Sequence, residues 1–355
     1  MQKRVIVAMS GGVDSSVAAA LLKEQGYEVI GVTMCFNLAP KPTDKPSCCG
    51  LQGIEDARRV AQMLGIRHYV INLDKEFSRR VIRNFQQEYF KGRTPNPCVR
   101  CNQFIKYGIL LKKAVNLGAQ FLATGHYARI FSSVRGYRLK KARDRIKDQS
   151  YFLYRLTQAQ LKRIIFPLGG LTKPQVRQLA ADLGLRIAQK QDSQEICFLP
   201  DGKYGEFIQA ADKMRVKPGD FLDQRGKIIG QHRGLVFYTI GQRHGIGISA
   251  PRPLYVTRID PRRNRIMLGE RGDVFKKEFF VTGAHFLDGL LKKKIEIKAR
   301  IRYNQTEAPA VVFPSQGKLK VIFKQAQFAI TPGQSAVFYD RDTVIGGGII
   351  QKVID

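Results

Sequence analysis

The first 125 residues alternate short apolar runs with amphipathic stretches of helical length, and this rhythm restricts the fold more than any other feature of the chain. Residues 4–9 (RVIVAM), 28–34 (EVIGVTM), 68–73 (HYVINL) and 121–124 (FLAT) read as strands. Residues 13–25, 54–64, 76–90 and 105–117 read as helices between them. Strand and helix in turn predict an α/β domain with a doubly wound parallel sheet, helices on both faces and a ligand at the carboxyl ends of the strands. Further helical stretches follow at 157–164 and 173–183. From about residue 205 the texture changes to short β-rich runs between Gly and Pro, at 234–240, 253–259, 295–301, 319–323 and 335–339. Closely spaced strands without helices predict small β domains or a barrel. The expected division is 1–205, a small β-rich central domain at 206–275, and a C-terminal β-barrel at 276–355.

Charge narrows the partner. The 355 residues hold 60 Lys and Arg against 29 Asp and Glu, a net +31, as expected of a chain that binds a polyanion. The densest run holds Arg135, Arg138, Lys140, Lys141, Arg143, Arg145 and Lys147 against Asp144 and Asp148. Nucleic acid is favoured over a solubility trait on this ground. No stretch approaches the roughly 18 apolar residues of a membrane span, and no separate apolar leader precedes the first strand, so a cytoplasmic protein without membrane partners is expected. Six cysteines in such a chain point to catalysis or metal binding before structural disulfides.

Three motifs carry chemistry. Ser10, Gly11, Gly12, Val13, Asp14 and Ser15 follow a strand and open a helix. There paired glycines, a helix N-terminus and two serine hydroxyls can receive a phosphate. No Lys occupies the Walker position, so the loop is not built for γ-phosphoryl transfer. It resembles the PP-loop of the ATP-pyrophosphatase (adenine nucleotide alpha hydrolase-like) group, whose members cleave ATP between the α and β phosphates. Asp14 reads as a Mg²⁺ ligand or as a helix cap. The second motif, GRTPNPCVRCN at 92–102, presents Cys98 and Cys101 after two prolines that stiffen the backbone. Its C-x-x-C is by itself open between half a zinc site, a redox pair and chance. The third, KQDSQEICF at 190–198, brings Cys197 along a polar approach to an apolar anchor.

These motifs, with ATGHYAR at 123–129, KDQSYFLY at 147–154, YTIGQRHGIGI at 238–248, RYNQ at 302–305 and PGQSAVFYD at 332–340, occur in one order along essentially the whole chain. In this the chain resembles the bacterial tRNA-specific 2-thiouridylases, the MnmA or TrmU family. The resemblance implies an adenylating N-terminal domain, a small central domain and a C-terminal barrel that binds tRNA. It implies ATP contacts at Ala8, Met9, Ser10, Gly11, Gly12, Val13, Asp14, Ser15, Met34 and Gly125. Contacts to tRNA are implied at His126, Lys147, Asp148, Gln149, Arg302, Tyr303 and Gln334, with Asn96, Pro97 and Cys98 beside the target base. Cys101 would be the nucleophile and Cys197 the persulfide carrier. The roles of Met34 and Gln334 rest on the resemblance alone.

The implied reaction uses ATP and Mg²⁺ to adenylate the C2 oxygen of a wobble uridine in the anticodon stem-loop. It then transfers sulfur from a persulfide that a donor protein loads on Cys197, leaving a Cys101–Cys197 disulfide; a monomer is expected. A variant route would hold a [4Fe–4S] cluster on Cys98, Cys101 and Cys197. Some members of the family carry an acidic residue at the position of Cys98, so no general-base role is assigned to it. Two other readings compete. A small-molecule adenylating synthetase accounts for the loop but not for the cysteines or the charge, and an RNA-binding protein with a relic loop leaves the thiols unexplained.

Overall fold

The computed structural model describes residues 2–36, 51–134, 136–190, 196–199, 202–289 and 291–354. Cys48 and Cys49, Arg135 of the basic run, and 191–195 of the third motif lie outside them. The chain divides into two compact units, one of Met1–Val81, Cys98–Gly202 and Asp342–Val344, the other of Ile82–Pro97, Lys203–Arg341 and Ile345–Asp355.

The first unit is the α/β domain that its sequence rhythm predicts. Strands β1 (Arg4–Ala8), β2 (Glu28–Cys35), β3 (Arg67–Asn72) and β4 (Phe121–Thr124) lie in one parallel sheet of order β3-β2-β1-β4. Strand β1 is central, and its Val5, Ile6 and Val7 are completely buried, as a strand covered on both faces requires. Helix α1 (Val13–Glu24) lays Val17, Ala18, Ala19 and Leu22 into the same core as Val5, Val7, Val29, Val176 and Ala180. Its run of alanines keeps the helix close to its neighbours while favouring helical backbone. The reversal of strand order falls between β1 and β4, and in open α/β sheets the crevice at the carboxyl ends of such strands is the usual ligand position.

Several sequence expectations are corrected here. A hairpin of β5 (Ala128–Ser133) and β6 (Gly136–Lys141) was hidden by its own charges, because Arg129, Arg138, Lys140 and Lys141 interrupt the apolar alternation. The helix expected at 157–164 is one turn, Gln158–Leu161, after which Ile164–Ile165 form β7 beside β4, as the fifth strand of the sheet. The predicted helix at 76–90 contains a π segment, Ser78–Ile82, and the one at 105–117 continues a π-helix, Cys101–Leu110, that begins at the second cysteine of C-x-x-C, into an α-helix, Leu111–Asn116.

The second unit holds two β structures. Strands β8 (Gly219–Leu222), β9 (Ile228–His232), β10 (Tyr255–Asp260) and β11 (Arg265–Gly269) form a sheet of order β10-β11-β8-β9. The expected strand at 234–240 is instead a 3₁₀ turn, Leu235–Phe237. Val236, Phe237 and Tyr238 are buried in succession, a packing that no alternating strand gives. The remaining strands are β12 (Phe275–Phe286), β13 (Ile295–Arg300), β14 (Ala308–Ser315), β15 (Lys318–Phe328), β16 (Ser335–Asp340) and β17 (Thr343–Ile354). They run in the order β12-β15-β14-β13-β16-β17, and β12 pairs β17 to close a six-stranded antiparallel barrel. Phe279, Val281, Val312, Val321, Phe323 and Phe338 fill it.

A candidate nucleotide loop and thiol segment

The glycine loop leaves β1 at its carboxyl end and turns into α1, and two glycines fix how tightly it is held. Gly11 has φ +71°, and a Cβ there would run into the backbone of Gly53. Gly125, just beyond β4, would place a Cβ 2.7 Å from the Asp14 carbonyl carbon and 2.8 Å from the Ser15 nitrogen. Both are positions where only glycine lets two backbones approach, so the switch point of the sheet is clamped onto the start of α1. No side chain caps that helix, so the N–H groups of its first turn are available to an anion.

The serines divide their work. Ser15 is buried, accepts from the Ser10 N–H at 3.1 Å and donates to Gly12 O at 3.1 Å, so its hydroxyl braces the loop instead of facing a ligand. Ser10 is exposed, and its hydroxyl lies 3.4 Å from that of Ser15. Asp14 does not cap α1. Its Oδ1 accepts from Tyr127 OH at 2.9 Å and from Lys173 Nζ at 2.6 Å. Both donors meet one oxygen, which leaves Oδ2 for a cation. A single carboxylate with waters and substrate phosphates is an ordinary Mg²⁺ environment, so the residues present fit that ion. Lys190 Nζ also reaches the loop, at 3.1 Å from Gly11 O and 2.7 Å from Asp56 Oδ2. Met34, next to the last residue of β2, is half-buried, and Met9 is buried, its carbonyl accepting from Thr33 Oγ1 at 2.8 Å. Ala8 ends β1, Gly12 precedes α1, and Val13 opens α1 with its side chain in the core.

Cys98 lies in the helical turn Pro97–Arg100, and Cys101 opens the π-helix three residues on. Residues three apart on a helix share a face, and both thiols are half-buried and reduced, as are Cys35 and Cys197. Asn102, beside Cys101, is buried and donates through Nδ2 to Phe152 O at 3.2 Å, which pins the start of the segment. Phe104 receives the guanidinium groups of Arg80 and Arg100 at 5.4 and 4.9 Å from its ring centre. Cys197 lies in a short turn whose Phe198 is buried edge-on against Phe77, the apolar anchor that the sequence suggested. Among the described residues no three His, Cys, Asp or Glu side chains are gathered as a metal ion needs. The thiols of Cys98, Cys101 and Cys197 as arranged therefore do not fit an iron–sulfur cluster.

His126 follows Gly125 and is buried, with Nδ1 2.7 Å from Thr124 Oγ1 and 3.0 Å from Tyr107 OH. Burial, and secondarily the Lys106 ammonium, holds its pKa well below the ordinary histidine value, so the ring is neutral. Burial likewise pushes the Tyr107 hydroxyl far above the usual tyrosine range. In the basic segment Asp148 is only 2% exposed. Its carboxylate accepts from the N–H groups of Ala142 and Ser150 and from the Ser150 hydroxyl, so it shapes the turn and its side chain does not reach outward. Gln149 exchanges two hydrogen bonds with the backbone of Tyr127, at 2.8 and 3.0 Å. Lys147 is half-buried, while Arg143 and Arg145 are exposed, and Arg145 pairs with Asp342 at 2.7 Å.

The other predicted residues belong to the second unit. Gln334 Nε2 donates to the carbonyls of Thr94 and Pro95 at 3.0 and 3.2 Å, and Thr94 N–H donates to Pro332 O at 2.9 Å. The barrel thus holds the backbone that leads into Asn96 and Pro97, and the amide of Gln334 is spent on it. Arg302 Nη2 donates to Ile240 O at 2.7 Å and to Thr331 Oγ1 at 2.5 Å, and Tyr303 faces the Arg300 guanidinium at 5.2 Å. Sequence reasoning missed Lys173, Lys190, Asp56 and Tyr127, because nothing local marks a lysine that reaches a loop more than 150 residues away.

A family model described as tRNA methyl transferase HUP domain matches residues 3–201 of the chain. One described as tRNA methyl transferase PRC-barrel domain matches 206–270, and one described as Aminomethyltransferase beta-barrel domain matches 276–350. The chain is 52% identical to tRNA-specific 2-thiouridylase MnmA 1 of Caldanaerobacter subterraneus subsp. tengcongensis, over 100% of its own length and 99% of the relative's. It is 51% identical to the MnmA of Halothermothrix orenii, over 98% and 99%, and 49% identical to that of Acetivibrio thermocellus, over 99% of both.

Proposed function

From the premise that the chain belongs to the tRNA-specific 2-thiouridylase family, we propose how its own residues make 2-thiouridine at the wobble position of tRNA. The domain models carry methyl-transfer descriptions, but relatives matched end to end at about half identity are named for thiolation, and the thiols of this chain agree with them. The observation that carries the reading is the presence in one compact unit of a lysine-free glycine loop at a sheet switch point and of three reduced thiols, Cys98, Cys101 and Cys197.

The C2 carbonyl of uridine is a poor electrophile. Its oxygen attacks the α-phosphorus of ATP, pyrophosphate departs, and the C2 oxygen becomes part of a good leaving group. The N–H groups at the start of α1 and the Ser10 hydroxyl stabilise the phosphates. Asp14 would hold Mg²⁺, which when bound would supply charge neutralisation on the phosphates. The terminal sulfur of a Cys197 persulfide then attacks C2, and AMP leaves with the former carbonyl oxygen. Cys101 thiolate attacks Sγ of Cys197, the sulfur–sulfur bond breaks toward the base, and the product is 2-thiouridine with a Cys101–Cys197 disulfide. A two-electron reductant reopens it, and a persulfide donor protein reloads Cys197. Asn96, Pro97 and Cys98 stand beside the base, and Lys147 with Arg143 and Arg145 binds the RNA backbone. His126 offers the RNA a neutral ring, and Arg302 and Tyr303 extend the RNA contact. Gln334 serves that contact by holding Thr94 and Pro95. A tRNA substrate supports a cytoplasmic location, and no helix among the described residues is long and apolar enough to cross a membrane.

The test is ATP–pyrophosphate exchange measured with and without unmodified tRNA. Exchange that needs tRNA, followed by 2-thiouridine when a persulfide donor is added, is expected. Exchange driven by a small molecule in place of RNA would assign the loop to a different synthetase chemistry.

A further inference from the structure

A glycine loop without a lysine lacks the cation that phosphate loops of the Walker type carry. Here two ammonium groups reach it from 159 and 179 residues further along the chain, Lys173 at Asp14 Oδ1 and Lys190 at Gly11 O. Their approach is built. Lys173 sits at the first position of the helix Lys173–Asp182, which Thr172 and Gln175 close with a capping box, and its N–H donates to Asp144 Oδ2 at 2.9 Å. Arg177, one turn on in that helix, donates to Ala188 O at 2.7 Å and to Lys190 O at 3.1 Å. One helix therefore carries the first lysine and clamps the backbone of the second.

The Lys173 side chain is 9% exposed, and a buried ammonium is costly unless paired. An ion pair in such a place adds little stability over an apolar pair of equal volume, so stability alone is a weak reason for it. Anion binding is a stronger one, because the two pairs bring ammonium groups to a glycine loop that holds no lysine of its own. We propose that Lys173 and Lys190 are the phosphate-binding cations of this site, their ligand class a nucleoside triphosphate and its pyrophosphate product. Were Asp14 to hold Mg²⁺, the Lys173 ammonium beside it would be left for the phosphates, and Lys190 would add charge at the Gly11 side of the loop. The assignment rests on the ATP reading given above.

Equilibrium binding of ATP, pyrophosphate and adenosine to the full-length enzyme with Mg²⁺ tests it, for wild type, Lys173→Met, Lys190→Met and the two Lys→Arg variants. Each Met variant is expected to lose about tenfold or more in affinity for ATP and for pyrophosphate, the scale of one charge-assisted hydrogen bond. Adenosine affinity should stay within about twofold, and the Arg variants should recover part of the loss. Met variants that bind ATP and pyrophosphate as wild type does, with only a shifted melting temperature, overturn the assignment and leave the ATP reading intact. Equal losses for ATP and adenosine overturn it too, since the lysines would then only shape the loop. Wild-type enzyme that binds neither ATP nor pyrophosphate overturns the ATP reading itself, and the assignment with it. Lys190 is the more exposed of the two, so its variant stays folded even where the Lys173 change destabilises the unit.

Discussion

A thiol that only carries sulfur is dispensable for the step before sulfur moves. Cys197→Ser is therefore expected to release pyrophosphate and accumulate adenylated tRNA without thiolation, while Cys101→Ser still accepts persulfide on Cys197 and also fails to thiolate. Single-turnover analysis of the RNA with a peptide map of the protein reads both, and thiolation at the wild-type rate by either variant would remove its cysteine from the mechanism. Neutral His126 gives a second prediction at this scale. Its folded pKa lies below the unfolded value of about 6.5, so below that pH the unfolded chain binds a proton that the folded one refuses. Its contribution is complete above about pH 6.5 and falls away as the pH drops, by at most about 1.4 kcal/mol per pH unit. His68 and His232, with pKa values lowered mainly by burial, act in the same direction. Melting temperatures between pH 7.5 and 5.5 should drop less for His126→Gln than for wild type, and parallel drops would show the ring to be protonated in the fold.

Strand, loop and helix succeed one another in the first unit as periodicity predicts, because β1 and α1 are short segments whose burial depends on local spacing. The glycine clamp between β4 and α1 belongs to this scale. Gly125→Ala would press a methyl group against the Asp14 and Ser15 backbone, and a loop displaced by even part of an ångström loses alignment. We expect tRNA-dependent pyrophosphate release to fall about tenfold or more. Gly170→Ala, where a Cβ meets nothing within 4 Å, should leave it unchanged and serves as the control. Equal rates for both would mean that contact with the switch-point backbone is irrelevant to ATP. The hairpin of β5 and β6 shows the opposite case: Lys140 lies 4.8 Å from the centre of the Phe131 ring, and the basic residues that conceal the strands from a hydrophobicity pattern pack on their faces.

For the whole chain, a net charge of +31 spread over its length predicts tRNA affinity that falls steeply with salt. Replacing Arg143, Arg145 and Lys147 by Ala should lower the log–log slope by about 2, since each phosphate contact contributes roughly 0.7–0.9. Arg145 shares its charge with Asp342 and should count for less than the others. Filter binding across a salt series measures this, and an unchanged slope takes the segment out of the RNA interface.

The sequence by itself determined the α/β unit, the loop after its first strand and the β-rich remainder, since each is written in neighbouring residues whose spacing has direct physical consequences. Only the tertiary structure decided which side chains meet there. Tyr127 and Lys173 come to Asp14 across 113 and 159 residues, Lys190 to Gly11 across 179, and Gln334 to the backbone of Thr94 across 240. It also turned the Asp148 carboxylate inward, onto the N–H groups of Ala142 and Ser150. Such partners depend on the folding of whole sheets and helices around them, and a lysine or glutamine destined for a distant loop carries no local mark of its destination.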